Sequence, residues 1–217
     1  MTKPITTLLF DFDGTLMDTN ELIIRSYQHV LDKHYPGKYT QSDILPFLGP
    51  TLTDAFSTVD PQRVDEFIEE YRAWNRERHD ELVSEFEGVS ETLLLLKEAG
   101  VKMAIVSTKR NDMIWRGIDL LQAKGIFDVV IGIDDVTNAK PDPEPIFLAL
   151  ERLGAAADEA LMIGDNYHDI EGGKNAGVRT AGVAWSAKGE AFLQTFNPDY
   201  MLHHLSDLLP IVKGEAI

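Results

Sequence analysis

The sequence predicts an α/β fold, a doubly wound parallel sheet with a small helical insertion behind its first strand. Three observations lead there. Apolar runs of strand length recur at Thr7–Phe10, Val101–Val106, Val129–Ile133, Leu161–Ile163 and Thr180–Ala184. Helix-length segments separate most of them, and only the stretch 16–85 breaks the alternation with helical spacing alone. Strand–helix alternation returns most readily as parallel strands with helices on both faces, which buries every strand twice.

Each element follows from its residues. Thr7–Phe10 is apolar throughout and stops at an acid, as a buried strand would. In the insertion, Ile23, Tyr27, Val30, Leu31 and His34 share one helical face. Val64, Phe67, Ile68, Tyr71 and Trp74 share another, after a helix start at Asp60-Pro61. Between them Asp43–Thr53, with Pro46, Gly49 and Pro50, reads as turns. Residues 1–15 and 86–217 are therefore expected to form the α/β core, and 16–85 a helical domain of its own. Further on, Glu91–Ala99 carries four consecutive leucines and stops at Gly100. Asp142–Leu153 has an Asp ahead of Pro143 at the first helical position, and Gly154 closes it.

Composition narrows the function. A chain of 217 residues buries a core without staples, and the absence of Cys excludes disulfides, thiolate metal sites and thiol nucleophiles. Its 20 basic and 36 acidic residues give a net charge of −16, which repels phosphate backbones, so no nucleic-acid partner is expected. With no 18-residue apolar run and no cleavable leader, no membrane span is expected and a cytoplasmic location is. A small anion could be bound only through a local device: a metal ion, a lysine or backbone N–H groups.

The chemistry gathers at strand ends. Leu8-Leu9-Phe10-Asp11-Phe12-Asp13-Gly14 puts two carboxylates at the carboxyl end of a buried strand, where open α/β sheets bind ligands. Leu161-Met162-Ile163-Gly164-Asp165 ends likewise, with Asp169 four residues on. Converging carboxylates repel one another unless a divalent cation neutralises them, and a hard oxygen set suits Mg²⁺. Asp169 reads equally as a helix-start residue. Met103–Val106 runs into Ser107-Thr108-Lys109, a hydroxyl and N–H groups suited to phosphate oxygens. Lys140 stands before Pro141, which favours an extended backbone that could aim its ammonium inward.

Together these residues resemble the haloacid dehalogenase superfamily, which has a Rossmann-like core. Asp11-Phe12-Asp13-Gly14-Thr15 matches its first motif, Ser107 the second, Lys140 the third, and Gly164-Asp165 with Asp169 the fourth. The helical insert resembles the small cap domain of that family. Asn166, where many relatives carry Ser or Thr, and Tyr167-His168 are mild departures. The resemblance implies that Asp11 is a nucleophile, that Asp13 protonates the leaving group and then activates water, and that Ser107, Thr108 and Lys140 hold phosphate. It further implies Mg²⁺ bound by Asp11, the Asp13 carbonyl and Asp165, with Asp169 behind them. Haloacid dehalogenation fits less well, because that chemistry needs no metal.

Over nearly the whole chain the sequence is similar to the PpaX-type pyrophosphatases of Gram-positive bacteria. The similarity includes His34-Tyr35-Pro36-Gly37, Lys140-Pro141-Asp142-Pro143-Glu144-Pro145 and Gly164-Asp165-Asn166-Tyr167-His168-Asp169. It implies hydrolysis of inorganic pyrophosphate and a functional link to HPr kinase/phosphorylase. A phosphatase acting on 2-phosphoglycolate or another small phosphomonoester is the alternative, and a silent binding protein of the same fold a remoter one. In the cap, Gly49, Arg72 and Arg76 are candidate specificity contacts. The two arginines could equally be solvated and paired with Glu69, Glu70 or Glu77.

Overall fold

The computed structural model describes residues 3–215. By backbone contacts the chain divides into two units, Met1–Met17 with Glu85–Ile217, and Asp18–Ser84. The strands are β1 (Thr7–Phe10), β2 (Met17–Asp18), β3 (Ser84–Glu85), β4 (Lys102–Val106), β5 (Val129–Ile131), β6 (Ala160–Gly164), β7 (Arg179–Val183) and β8 (Tyr200–Leu202). The helices are α1 (Asn20–His34), α2 (Gln41–Ile44), α3 (Leu52–Val59), α4 (Val64–Arg78), α5 (Val89–Glu98), α6 (Asn111–Leu120), α7 (Glu144–Leu153), α8 (Tyr167–Asn175), α9 (Glu190–Gln194) and α10 (Leu208–Val212).

In the first unit six parallel strands lie in the order β5-β4-β1-β6-β7-β8. The predicted sheet is present. The chain winds outward from β1 through β4 to β5, then returns to place β6 on the other side of β1. That reversal opens a crevice beyond the carboxyl ends of β1 and β6, the place where ligands enter such sheets. All four residues of β1 and all five of β6 are buried, so both faces are covered and the strands are apolar without alternation. One face packs Leu9, Ala104, Val106 and Met162 against Ile146, Ala149, Leu150 and Leu153 of α7.

Several boundaries differ from expectation. β5 stops at Ile131, because Gly132 donates its N–H to Asp135 Oδ2 and the chain tightens into a 3-10 turn over Ile133–Asp135. α7 begins at Glu144, not at Pro143; Asp142 Oδ1 accepts the Glu144 N–H at 2.9 Å, and Gly154 closes the helix at φ +56°. β8 and the two-residue strands β2 and β3 are too short to carry a periodic signal.

The second unit is helical. α1 packs on α4, and Tyr27 of α1 anchors an aromatic core with Phe56 and Tyr71 at ring-centroid distances of 5.2 and 4.8 Å. Leu22, Ile24, Tyr27, Val30 and Leu31 are the buried apolar residues of α1, whereas Ile23 and His34 are half-buried, so the buried face is rotated from the expected one. On α4 the core residues are Phe67, Ile68 and Tyr71. The expected turns of Asp43–Thr53 contain the end of α2, a 3-10 turn and the start of α3, capped by Thr51, whose hydroxyl accepts the Asp54 N–H. Asp60-Pro61 opens a turn, and α4 starts at Val64.

Gly117 in α6 is a packing requirement, since an ideal Cβ there would lie 2.5 Å from the Phe12 ring. Gly117→Ala is expected to destabilise the protein by about 1–3 kcal/mol despite alanine's better helix propensity. Urea denaturation of the two proteins measures it.

Candidate active site

The sheet positions the first carboxylate through its main chain. Asp11 follows β1, and its N–H donates to the Ile163 carbonyl at 2.8 Å, extending the β1–β6 ladder by one bond. Ser107 follows β4 in the same way, its N–H donating to Ile131 at 3.0 Å. Asp165 follows β6, which pairs with β1 in register from Thr7↔Ala160 to Phe10↔Ile163. Gly14 then turns the chain at φ +77°, and a Cβ there would come within 2.4 Å of Asp165 Oδ2. Only glycine fits that position, for space and for backbone conformation alike.

Lys140 holds the centre. Its ammonium donates to the Val106 carbonyl and to Asp169 Oδ1, both at 2.6 Å, and lies 3.3 Å from Asp11 Oδ1. The last contact is an ion pair without hydrogen-bond geometry, and Asp11 Oδ1 is otherwise buried without a hydrogen-bond donor. Asp169 has its second oxygen, Oδ2, on the Asn166 N–H at 3.0 Å, completing a capping box at the start of α8. Gly164 admits this arrangement, since a Cβ there would overlap the Asp169 carboxyl. Asp169 thus caps the helix start and also anchors the Lys140 ammonium.

The Asp13 carboxylate lies apart, with Oδ1 accepting from Lys109 Nζ at 2.7 Å. Lys109 was read from sequence only as a source of N–H groups, and its ammonium is an addition. Lys188 is another. It lies beyond β7, its ammonium 5.8 Å from the Tyr167 ring centroid and 5.6 Å from that of Phe192. A sequence signal existed for it, because its loop follows the strand that neighbours β6. Gly49, Arg72 and Arg76 all belong to the second unit: Gly49 stands in the loop before α3, and the arginines are exposed on α4. Glu70 accepts from Lys33 Nζ at 2.6 Å and pairs with His34 Nε2 at 3.0 Å.

The electrostatics at this cluster favour a positive charge. Asp11, Asp165 and Asp169 are all buried, and each offers an oxygen within 4.8 Å of the others'. Burial pushes Asp11 up to about 6 against the pull of Lys140, with Asp169 and Asp13 adding to the rise. Burial, then the charges of Asp11 and Asp169, hold Asp165 well above the ordinary carboxylate range. Burial also opposes the Lys140 ammonium, but Asp11 and Asp169 outweigh it and raise its pKa. Lys188 is lowered by burial, with Asp165 and Asp169 pulling the other way. An orphaned Asp11 oxygen beside a strained Asp165, all hard oxygen donors, fits Mg²⁺. Asp169 is engaged through both oxygens, so Asp11 and Asp165 are the available carboxylates. A second cluster, His34 with Glu66 and Glu70, is instead neutralised by Lys33 and Arg63. Among the described residues no helix is long and apolar enough to cross a membrane.

The chain is similar to known proteins over nearly its whole length. A family model described as haloacid dehalogenase-like hydrolase matches residues 8–183. A Bacillus velezensis protein named pyrophosphatase PpaX is 54% identical over 209 residues, covering 96% of this chain and 97% of its own. A Bacillus cereus protein of the same name is 53% identical over 210 residues, covering 97% of each. Among solved structures, a Bacteroides fragilis protein assigned as a haloacid dehalogenase-like hydrolase superposes with a TM-score of 0.88 at 32% identity, covering 94% of this chain and 99% of that one.

A carboxylate whose pKa is raised by folding makes the folded state bind more protons, so stability falls as pH rises from its unfolded value through its folded one. In metal-free protein the contribution of Asp11 should therefore turn against folding as pH rises from about 4 through about 6, and Asp165 should act in the same direction. Asp165→Asn should raise the melting temperature of the metal-free protein at pH 7, and the gap should close near pH 4. Thermal melts in chelator across that range measure both effects.

Proposed function

We propose, from the premise that the chain belongs to the haloacid dehalogenase-like hydrolases, that it is a Mg²⁺-dependent phosphohydrolase that cleaves inorganic pyrophosphate into two phosphates. The observation that carries the chemistry is the buried convergence of Asp11, Asp165, Asp169 and Lys140 beyond the ends of β1 and β6. Similarity to the Bacillus pyrophosphatases over nearly the full chain, insert included, supports the choice of substrate.

Asp11 acts as nucleophile. One oxygen of its carboxylate attacks phosphorus in line as the bridging P–O bond breaks, giving an aspartyl-phosphate and a leaving phosphate. Asp13 serves the leaving oxygen as acid, then takes a proton from the water that attacks the aspartyl-phosphate and restores Asp11. Lys109, at 2.7 Å, fixes where that carboxylate points. Lys140 offsets the charge that gathers as carboxylate meets phosphate, while Ser107 and the N–H groups around Thr108 hold the transferring oxygens. Asp11 and Asp165, with the Asp13 carbonyl, would hold Mg²⁺, which when bound supplies the remaining positive charge. Asp169 keeps the Lys140 ammonium in place.

Choice among small phosphates is assigned to the second unit, with Gly49, Arg72 and Arg76 as its candidates. The substrate is a small phosphate anion in the cytoplasm, and HPr kinase/phosphorylase is the producer that the resemblance implies.

Asp11→Asn should lower turnover about a thousandfold or more while leaving the circular dichroism spectrum intact; full activity would end the covalent mechanism. Chelator should abolish wild-type turnover. In steady-state assays with Mg²⁺, kcat/KM for pyrophosphate should exceed that for 2-phosphoglycolate by about a hundredfold, or 2.7 kcal/mol of transition-state binding. The reverse preference would keep the mechanism and replace the substrate.

A further inference from the structure

The mechanism above leaves a half-buried cation of the core without a task. Lys188 lies in the loop that follows β7, and that loop is fastened to the site by Ser186. The Ser186 hydroxyl donates to the main-chain carbonyl of Asp165 at 2.7 Å and accepts the Lys188 N–H at 3.2 Å. The Lys188 main chain is thus tied through Ser186 to the main chain of a proposed metal ligand. Two rings flank it, Tyr167 and Phe192. The Tyr167 ring is itself fixed, stacked on Phe196 at 5.4 Å and against His168 at 3.8 Å.

An aromatic wall of this kind does two things to an ammonium. It offsets part of the loss of water by cation–π attraction, and it limits where the long side chain can go. Lys188 is accordingly a placed charge, half-buried at the edge of the carboxylate cluster. Lys140 already pairs with Asp11 and Asp169, and a bound divalent cation would oppose the carboxylates further, so balance alone does not account for Lys188. A monoester offers one phosphoryl group, which Lys140, Ser107 and the metal ligands serve. Pyrophosphate brings a second phosphate with its own charge, and that phosphate needs its own cation in a chain of net charge −16.

We propose that Lys188, set by Tyr167, Phe192 and Ser186, is a specificity-determining residue that binds the phosphate of pyrophosphate not transferred to Asp11. The assignment rests on the pyrophosphatase reading and deepens it. It also gives Tyr167, one of the departures from the family pattern, a function as the platform of that lysine.

The test compares wild type, Lys188→Gln and Lys188→Arg on pyrophosphate and on p-nitrophenyl phosphate, at saturating Mg²⁺ and across a Mg²⁺ titration. Wild-type activity is read first: turnover of p-nitrophenyl phosphate without pyrophosphate would overturn the substrate reading, and this assignment with it. With pyrophosphate turnover established, Lys188→Gln should lower kcat/KM for pyrophosphate by about 30-fold, mainly through KM, as for a lost charge-assisted contact. The loss on p-nitrophenyl phosphate should stay under about 5-fold, which also shows that the variant is folded. Lys188→Arg should recover part of the pyrophosphate loss. Equal losses on both substrates, or a change confined to the Mg²⁺ requirement, would make Lys188 a screen for Asp165 and overturn the proposal while leaving the pyrophosphatase reading in place.

Discussion

The site depends on one ammonium. Lys140 Nζ touches a β4 carbonyl, the anchor carboxylate of α8 and the carboxylate that follows β1. Three elements far apart in sequence therefore meet on a single buried charge. Without it Asp11 and Asp169 would face each other across a dry interior, where an unpaired carboxylate costs several kcal/mol. The contacts are unequal: two short hydrogen bonds fix the ammonium, and the longer ion pair to Asp11 leaves an Asp11 oxygen available. A nucleophile bound as tightly as Asp169 would be a poorer one. The geometry separates the residue that secures the lysine from the residue that reacts.

Around that charge the main chain does most of the positioning. Asp11 and Ser107 take their places as the next rungs of parallel ladders, so their backbones are as fixed as the strands themselves. Glycines then remove the atoms that would obstruct the assembly. Gly14 clears Asp165 and Gly164 clears Asp169. The acidic residues are close because the backbone places them together, and their pKa values are raised first by burial and then by one another's charge. This is the usual trade of stability for a poised site.

How much of this could be read from the sequence follows from the range of each signal. β1, β4, β6 and β7 were legible because strands buried on both faces are continuous apolar runs. Asp11, Ser107 and Asp165 were legible because each directly ends one. Lys140 needed its company, since a lysine before a proline has no meaning alone. Lys109 and Lys188 were missed as ammonium groups: what places them is a carboxylate 96 residues away in one case and an aromatic wall in the other. The rotated buried face of α1 was missed because Ile23 and Ile24 are equally apolar, and only packing against α4 decides between them. Glu70 was one of three acids offered to the arginines of its own helix, whereas Lys33 and His34 of α1 contact it.

The paired strands β2 and β3 mark where the chain departs from the sheet-bearing unit and where it comes back. Because exit and return are neighbours, the helical unit is an excursion that starts and finishes at one place, and the sheet is continuous without it. In evolutionary terms this makes the helical segment exchangeable. A different insert, or a short hairpin, could be carried on the same two strands while Asp11, Ser107, Lys140 and Asp165 kept their coordinates. Descent could then change the insert without revising the chemistry, by recombination at two adjacent points of the backbone.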